Sequence, residues 1–292
     1  MTVQPGYSVN ASGLFTAQHR GLEWLAAQGF TPVMVPLVYP ANGEESVGFR
    51  VVDWAGNLWA VRSDFTPLVS QLVVRQSDQE SCLRVCYAGE VARPAGARLR
   101  GVAELCQLGF ESFLGGDHAA TALRVLLGLL RHLGLDPSDL VVTVTHAELG
   151  REILTQLLEE PPDAELLQLM VAKDVDALVE QIGVRGEGER YLRQAILGEG
   201  EGWVRFFAGQ QRWEQLRGAA DEVWAAGATA QLEAALPAVG RYYHGVIFSV
   251  WGRRRRVLVA SGGEYQVPAR DRSLPGVGAT VAVEQVVLEA QC

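Results

Sequence analysis

Leu105-Cys106-Gln107-Leu108-Gly109-Phe110-Glu111-Ser112-Phe113 has the alternation of a β-strand with a use for both of its faces. Side chains in a strand point to opposite sides with a period of two, so Cys106, Leu108 and Phe110 share one face while Gln107 and Glu111 share the other. A solvated strand would carry Lys or Thr on that second face and a core strand Val. Two hydrogen-bonding groups there suit a polar pocket. The run Leu83-Arg84-Val85-Cys86-Tyr87-Ala88-Gly89-Glu90 and the segment Val61-Arg62-Ser63-Asp64-Phe65-Thr66-Pro67 supply further polar groups to the same cavity. A second reading stays open at this level, in which Gln107 and Glu111 satisfy other polar groups inside a core.

Working outward, Leu14, Ala17, Leu22 and Leu25 share one side of a helix capped near Ser12 and stopped by Gly29. Thr31 to Pro36 is β-branched but flanked by prolines, which cannot donate to a ladder, so it belongs at an edge or an interface. Phe49 to Asp53 and Leu58 to Val61 flank Trp54-Ala55-Gly56-Asn57, a hairpin signal. A Pro-Gly-Arg loop, Arg93 to Arg100, separates the strands around Tyr87 and Gln107. Asp117 reads as the N-cap of a helix ending at Gly134, and Leu140 to Thr145 returns as a strand. From Ala147 to Pro237 the apolar spacing is helical, through Leu154, Leu157, Leu158, Leu166, Leu167, Met170, Val175 and Leu178. Strands resume at Tyr242 to Trp251 and Arg256 to Ala260, and a closing helix carries Val283, Val286, Val287 and Ala290 on one face. The two β-rich halves are expected to complete one sheet around the helical stretch.

The chain has 292 residues, 48% of them hydrophobic, enough to bury about three quarters of its unfolded surface. A formal charge of -9 gives no general attraction to phosphate backbones. Lys173 is the only lysine, and the one basic cluster, Arg253 to Arg256, falls between two β-like runs and reads as a solvated hairpin turn. Arg124 and Arg131 interrupt the most apolar helix, so no membrane span is expected. The start lacks a basic segment followed by an apolar run, which leaves the cytoplasm as the default compartment. Cys82, Cys86, Cys106 and Cys292 form no paired CxxC motif, so neither zinc nor disulfides are expected. No Walker loop or HExxH occurs, and Gly276-Val277-Gly278 lacks the rest of a dinucleotide fingerprint, so no cofactor is implied. His146 follows a strand and reads as an ordinary polar residue or a cleft residue; Gly262-Gly263 permits close backbone approach or a tight turn.

Arg62-Ser63-Asp64-Phe65-Thr66-Pro67, Tyr87-Ala88-Gly89-Glu90-Val91-Ala92-Arg93, Gln107-Leu108-Gly109-Phe110-Glu111, Tyr242-Tyr243-His244-Gly245-Val246-Ile247-Phe248 and Ser261-Gly262-Gly263-Glu264-Tyr265 recur here in a telling order. In that order and spacing they resemble the histidine-binding and motif 2 segments of class II histidyl-tRNA synthetases. Gly29 to Pro36 resembles motif 1, the dimer-forming segment, and Gly278 to Val286 resembles motif 3. The resemblance implies an α+β fold with a class II aminoacyl-tRNA synthetase-like core, an antiparallel sheet flanked by helices. That core would span residues 1–146 and 236–292, with a helical insert over 147–235. It implies that Asp64 and Thr66 hold the α-amino group of histidine with Gln107 alongside, and that Glu111, Tyr242 and Tyr243 complete the pocket. A carboxylate meeting an ammonium makes a charge-assisted hydrogen bond, and tyrosine offers an apolar wall with a polar tip.

Departures from the family pattern bear on function. Adenylation develops negative charge on the transferring phosphate, and class II enzymes meet it with arginines. Arg93 stands at the motif 2 position, a vestige of the nucleotide site. At motif 3, however, Ala282-Val283-Glu284-Gln285-Val286 puts Gln285 where the family has arginine, and Ala238 stands where a second catalytic arginine would precede the tyrosines. Arg98 and Arg100 sit out of step with the motif 2 loop arginine, whose place is taken by Ala103. Ser63, Glu264 and Gln266 replace a proline, an arginine and an aspartate. The chain ends at Cys292, directly after the motif 3-like helix, so no anticodon-binding domain and no tRNA contact are expected.

This pattern is similar to one branch of the family, the regulatory subunits of ATP phosphoribosyltransferase, and Val171-Ala172-Lys173-Asp174-Val175-Asp176-Ala177-Leu178 looks like a helix common in that branch. Membership would imply a non-catalytic protein of histidine biosynthesis, a homodimer within a hetero-oligomer. Its partner would be the short-form catalytic ATP phosphoribosyltransferase subunit and its effector histidine. The rival expectations are an adenylating enzyme that keeps some activity and an interaction paralogue outside histidine synthesis.

Overall fold

The computed structural model describes residues 11–41, 49–76, 82–94, 102–234, 243–269 and 272–291. In chain order the elements are α1 (Ala11–Ala27), β1 (Thr31–Pro32), β2 (Val38–Pro40), β3 (Arg50–Val52), β4 (Leu58–Val61), α2 (Thr66–Gln76), β5 (Leu83–Pro94) and β6 (Val102–Phe113). There follow α3 (Ala119–His132), β7 (Leu140–His146), α4 (Leu149–Leu158), α5 (Ala164–Ala172), α6 (Val175–Ile182), α7 (Glu187–Leu197), α8 (Gly202–Phe207) and α9 (Gln210–Ala225). The chain closes with β8 (Thr229–Leu232), β9 (Tyr243–Gly252), β10 (Val257–Ala269), β11 (Arg272–Ala282) and α10 (Val283–Glu289).

Two compact units divide it: one holds Met1–Gly116, Leu129–Leu135 and Ala279–Cys292, the other Asp117–Gly128 and Asp136–Gly278. In the first, β1, β5 and β6 are neighbours with the end of β11 beside β6. The β5/β6 ladder is antiparallel over its whole length, from Leu83↔Phe113 to Pro94↔Val102. β1 joins β5 in parallel through only Thr31↔Val85 and Pro32↔Cys86. The strand expected to reach Pro36 is thus cut short, with one further bond beyond it from the Val33 amide to Cys86 O at 2.9 Å. A separate sheet, β2-β4-β3, contains the hairpin expected around Trp54. Asp53 Oδ1 accepts from the amides of Ala55 and Asn57 at 2.9 and 2.8 Å and fixes that turn.

Helix α1 keeps part of its expected stripe: Ala17 and Leu25 are buried with Gly21 between them, Leu14 and Leu22 are half-buried, and the helix packs on β5, β6 and α10. Gly21 is required there, since a Cβ would run into the Leu108 side chain of β6. The helix ends in a Schellman motif, with Gly29 at φ 86°, its amide on Ala26 O at 3.0 Å and the Phe30 amide on Leu25 O at 3.1 Å. Leu25 and Leu108 are both fully buried, each contributing roughly 1.5–3 kcal/mol by burial.

In the second unit the order is β11-β10-β9-β7-β8. β9 pairs antiparallel with both β10 and β7, while β8 runs parallel to β7. The sheet is therefore mixed, with β8 as a parallel partner at the edge, and helices flank it: α9 packs on β7, β8 and β9, and α4 on β7. The stretch read as wholly helical contains α4 to α9 and then a strand, β8. β11 was not foreseen at all. Helix α3 begins at Ala119, two residues past the expected cap Asp117, and its first amide is bound by Glu264. Cys82, Cys86 and Cys106 are free thiols. No helix among the described residues is long and apolar enough to cross a membrane.

Candidate functional site

The polar face expected on β6 is met by residues of β5, β11 and the start of α2 in the first unit. In the β5/β6 register Val85, Tyr87 and Gly89 stand opposite Glu111, Gly109 and Gln107. Opposed residues share a face, so Tyr87 lies beside the two polar residues of β6. Gly109 makes room for it: a Cβ there would sit 2.5 Å from the Tyr87 hydroxyl. The Tyr87 hydroxyl donates to Glu111 Oε1 at 3.1 Å and also meets Thr280 Oγ1 of β11 at 3.1 Å. Thr66, the first residue of α2, donates its hydroxyl to the same Glu111 oxygen at 2.8 Å. Glu111 is 2% exposed and Tyr87 fully enclosed. Burial, and then the Glu111 and Asp64 charges, hold the Tyr87 phenol well above its ordinary value, so it stays a neutral donor.

Beside this carboxylate the loop before α2 is pinned from several directions. Asp64 Oδ1 accepts from the Thr66 amide at 3.1 Å and Oδ2 from Arg93 Nη2 at 2.8 Å, while Arg93 Nε donates to Ser63 O at 2.9 Å. Arg93 and Asp64 are both partly solvated, so this pair positions more than it stabilises. Arg62 is buried and donates to Val35 O at 2.8 Å and, through Nη2, to Glu90 O at 2.7 Å. Its guanidinium lies 3.9 Å from the Phe65 ring centroid, and Phe65 stacks on Tyr87 at 4.3 Å. Gly89, at φ 150°, leaves space for that guanidinium; a Cβ would lie 3.0 Å from Arg62 Nη2. Burial lowers the Arg62 pKa while Glu90 opposes the shift.

Gln107 is 5% exposed and its Oε1 has no hydrogen-bond partner among the described residues. A buried acceptor left open is costly unless a ligand or water meets it. The recess therefore offers Glu111, Asp64 and the Gln107 carbonyl oxygen as acceptors, a set suited to an N–H-rich cation such as a primary ammonium.

Of the residues expected from sequence, Asp64, Thr66, Glu111 and Arg93 are brought together, and Gln107 shares the strand face. Tyr243 begins β9 in the second unit and is half-buried. Tyr242 and Ala238, like Arg98 and Arg100, lie outside the described residues. Gln285 is half-buried on α10, whose Glu284 accepts from the Cys106 amide at 2.6 Å and ties the helix to β6. Burial raises the Glu284 pKa. Tyr87 and Thr280 were not nominated. The available signal for Tyr87 was Gly109 itself, the side-chain gap between two polar residues of one face.

A family model described as histidyl-tRNA synthetase matches residues 11–286. The chain belongs to the histidyl-tRNA synthetase family. Within that family, the ATP phosphoribosyltransferase regulatory subunit of Azoarcus sp. (strain BH72) is 26% identical over 98% of this chain and 80% of the relative. The protein of the same description from Caldanaerobacter subterraneus subsp. tengcongensis is 24% identical over 85% of this chain and 69% of its own. Among solved structures, an ATP phosphoribosyltransferase regulatory subunit/histidyl-tRNA synthetase from Bacillus halodurans superposes with TM-score 0.76 at 19% identity, covering 99% of this chain and 82% of the other. The ATP phosphoribosyl transferase (HisG:HisZ) complex from Thermotoga maritima contains a chain with TM-score 0.73 at 22% identity, covering 95% and 98%. These structural likenesses establish a histidyl-tRNA synthetase-like class II fold.

Proposed function

We propose that this chain is a non-catalytic regulatory subunit of ATP phosphoribosyltransferase, acting in the first step of histidine biosynthesis. The observation that carries the reading is that relatives aligned over nearly its whole length bear that description. The Thermotoga maritima likeness, found in a complex of that enzyme, supports association with a short catalytic chain in a hetero-oligomer. The recess supports an amino-acid ligand: Glu111, Asp64 and Thr66 hold the ammonium of histidine and Gln107 takes a further N–H, with Tyr87 as the wall that orients Glu111. Gln285 at the motif 3 position argues against adenylation, because losing one positioned donor costs roughly 10²- to 10³-fold in rate. Feedback then requires only that histidine bind one state of the assembly better than another, and the coupling is reciprocal.

Mixing the purified chain with the short catalytic subunit tests the reading. The expected result is a complex and faster formation of phosphoribosyl-ATP, lowered when histidine is added. The absence of both a complex and stimulation would overturn it. The rival is an adenylating enzyme, for which Arg93 stands at the motif 2 position. That rival predicts histidine-dependent exchange of pyrophosphate into ATP.

A further inference from the structure

The β9–β10 hairpin, in the second unit, carries an unusual surface for a chain of formal charge -9. Trp251 and Leu258 stand opposite each other in register, 38% and 40% exposed, so the pair presents an apolar spot on one face. The turn that follows is Arg253-Arg254-Arg255-Arg256, exposed throughout. The hairpin is fixed rather than loose. The Arg253 amide donates to Asp139 O at 2.9 Å, its guanidinium bonds Thr229 Oγ1, and Arg254 Nη2 reaches Asp139 Oδ2 at 2.5 Å. Trp251 Nε1 donates to Thr143 Oγ1 at 3.4 Å, which holds the indole in place.

A held tryptophan beside arginines has the composition of an interface hot spot, and groups already ordered lose little freedom on binding. Guanidinium pairs best with carboxylates, through two parallel hydrogen bonds. The charge balance therefore selects an acidic protein face with an apolar centre. RNA fits worse: the sequence has no second basic run, and the net charge repels a phosphate backbone. A second copy of this chain also fits worse. In a two-fold interface one surface patch meets its own equivalent, so arginine turns near the axis would face each other.

We propose that this hairpin is the docking surface for an acidic face of an unlike protein subunit; resting on the functional reading above, that subunit is the short catalytic phosphoribosyltransferase chain. The experiment measures affinity between the two purified chains at low and high salt, for wild type, for Arg255→Glu/Arg256→Glu and for Leu258→Glu, which leaves every arginine in place. An Arg151→Glu/Arg185→Glu variant, with the same charge change at exposed positions elsewhere, is the control. Thermal melting verifies that each variant is folded. The hairpin variants should bind on the order of tenfold or more weakly, the arginine pair with a reduced salt dependence, while the control resembles wild type. Wild-type binding left unchanged by both hairpin variants, or weakened equally by the control, overturns the docking surface alone. No wild-type complex overturns the functional reading and the docking surface with it. Binding of a mixed RNA that the arginine variant abolishes, with subunit affinity unchanged, also overturns the proposal.

Discussion

Glu111, 2% exposed, accepts at Oε1 from the hydroxyls of Thr66 and Tyr87, and in the proposed function it meets the ammonium of histidine. Charge-assisted hydrogen bonds contribute about 1.5–3 kcal/mol, so Glu111→Gln, which keeps shape and removes charge, should weaken histidine binding ~10- to 100-fold by calorimetry. Equal affinities would contradict its role. His146 tests the electrostatics of the second unit. Burial and the Arg212 charge pull its pKa from 6.5 to about 4, with Glu148 opposing and His244 assisting. Between those values the unfolded chain binds a proton that the folded chain refuses. Stability is therefore whole above pH 6.5 and is lost as pH falls toward 4, by ~3 kcal/mol at most. Melting temperatures from pH 7 to 4.5 should fall more steeply for wild type than for His146→Asn. Parallel curves would refute the shift.

At the scale of elements, local rules worked where local chemistry decided. The period-two face of β6, the hairpin around Asp53 to Asn57 and the glycine-stopped α1 were all legible. They failed where a partner distant in sequence decided. Helix α3 starts at Ala119 because Glu264, 145 residues away, accepts its amide through Oε1 at 2.8 Å while Oε2 accepts from the Val246 amide at 2.8 Å. Gly245 leaves room for that carboxylate. No capping rule applied at Asp117 could find it. β11 was hidden by Pro275, Gly276 and Gly278, residue types that punctuate chains at turns but here lie in a strand between neighbours. Glu264, flagged in sequence only as a lost arginine, is thus a structural acid here. Glu264→Ala should lower unfolding stability by about 1–3 kcal/mol in urea titration, and Glu264→Arg by more, since a cation at a helix N-terminus opposes its dipole. An unchanged midpoint for both would remove this account of α3.

For the whole molecule, composition excluded more than it identified: a charge of -9 spoke against general nucleic-acid binding without naming a ligand. That Asp64, Thr66, Glu111 and Arg93 come together, with Gln107 on the same strand face as Glu111, was legible through the family resemblance that their short segments carry. Tyr87 and Thr280 were missed because their contact joins β5 to a strand that local propensity conceals. Our proposal, drawn from the fold, the acceptors around Glu111 and Gln285, is an amino-acid cradle uncoupled from adenylation. Histidine-dependent exchange of labelled pyrophosphate into ATP by the isolated chain tests this most directly. We predict no exchange above the histidine-free control at concentrations where calorimetry registers histidine binding; exchange that rises with histidine would contradict it.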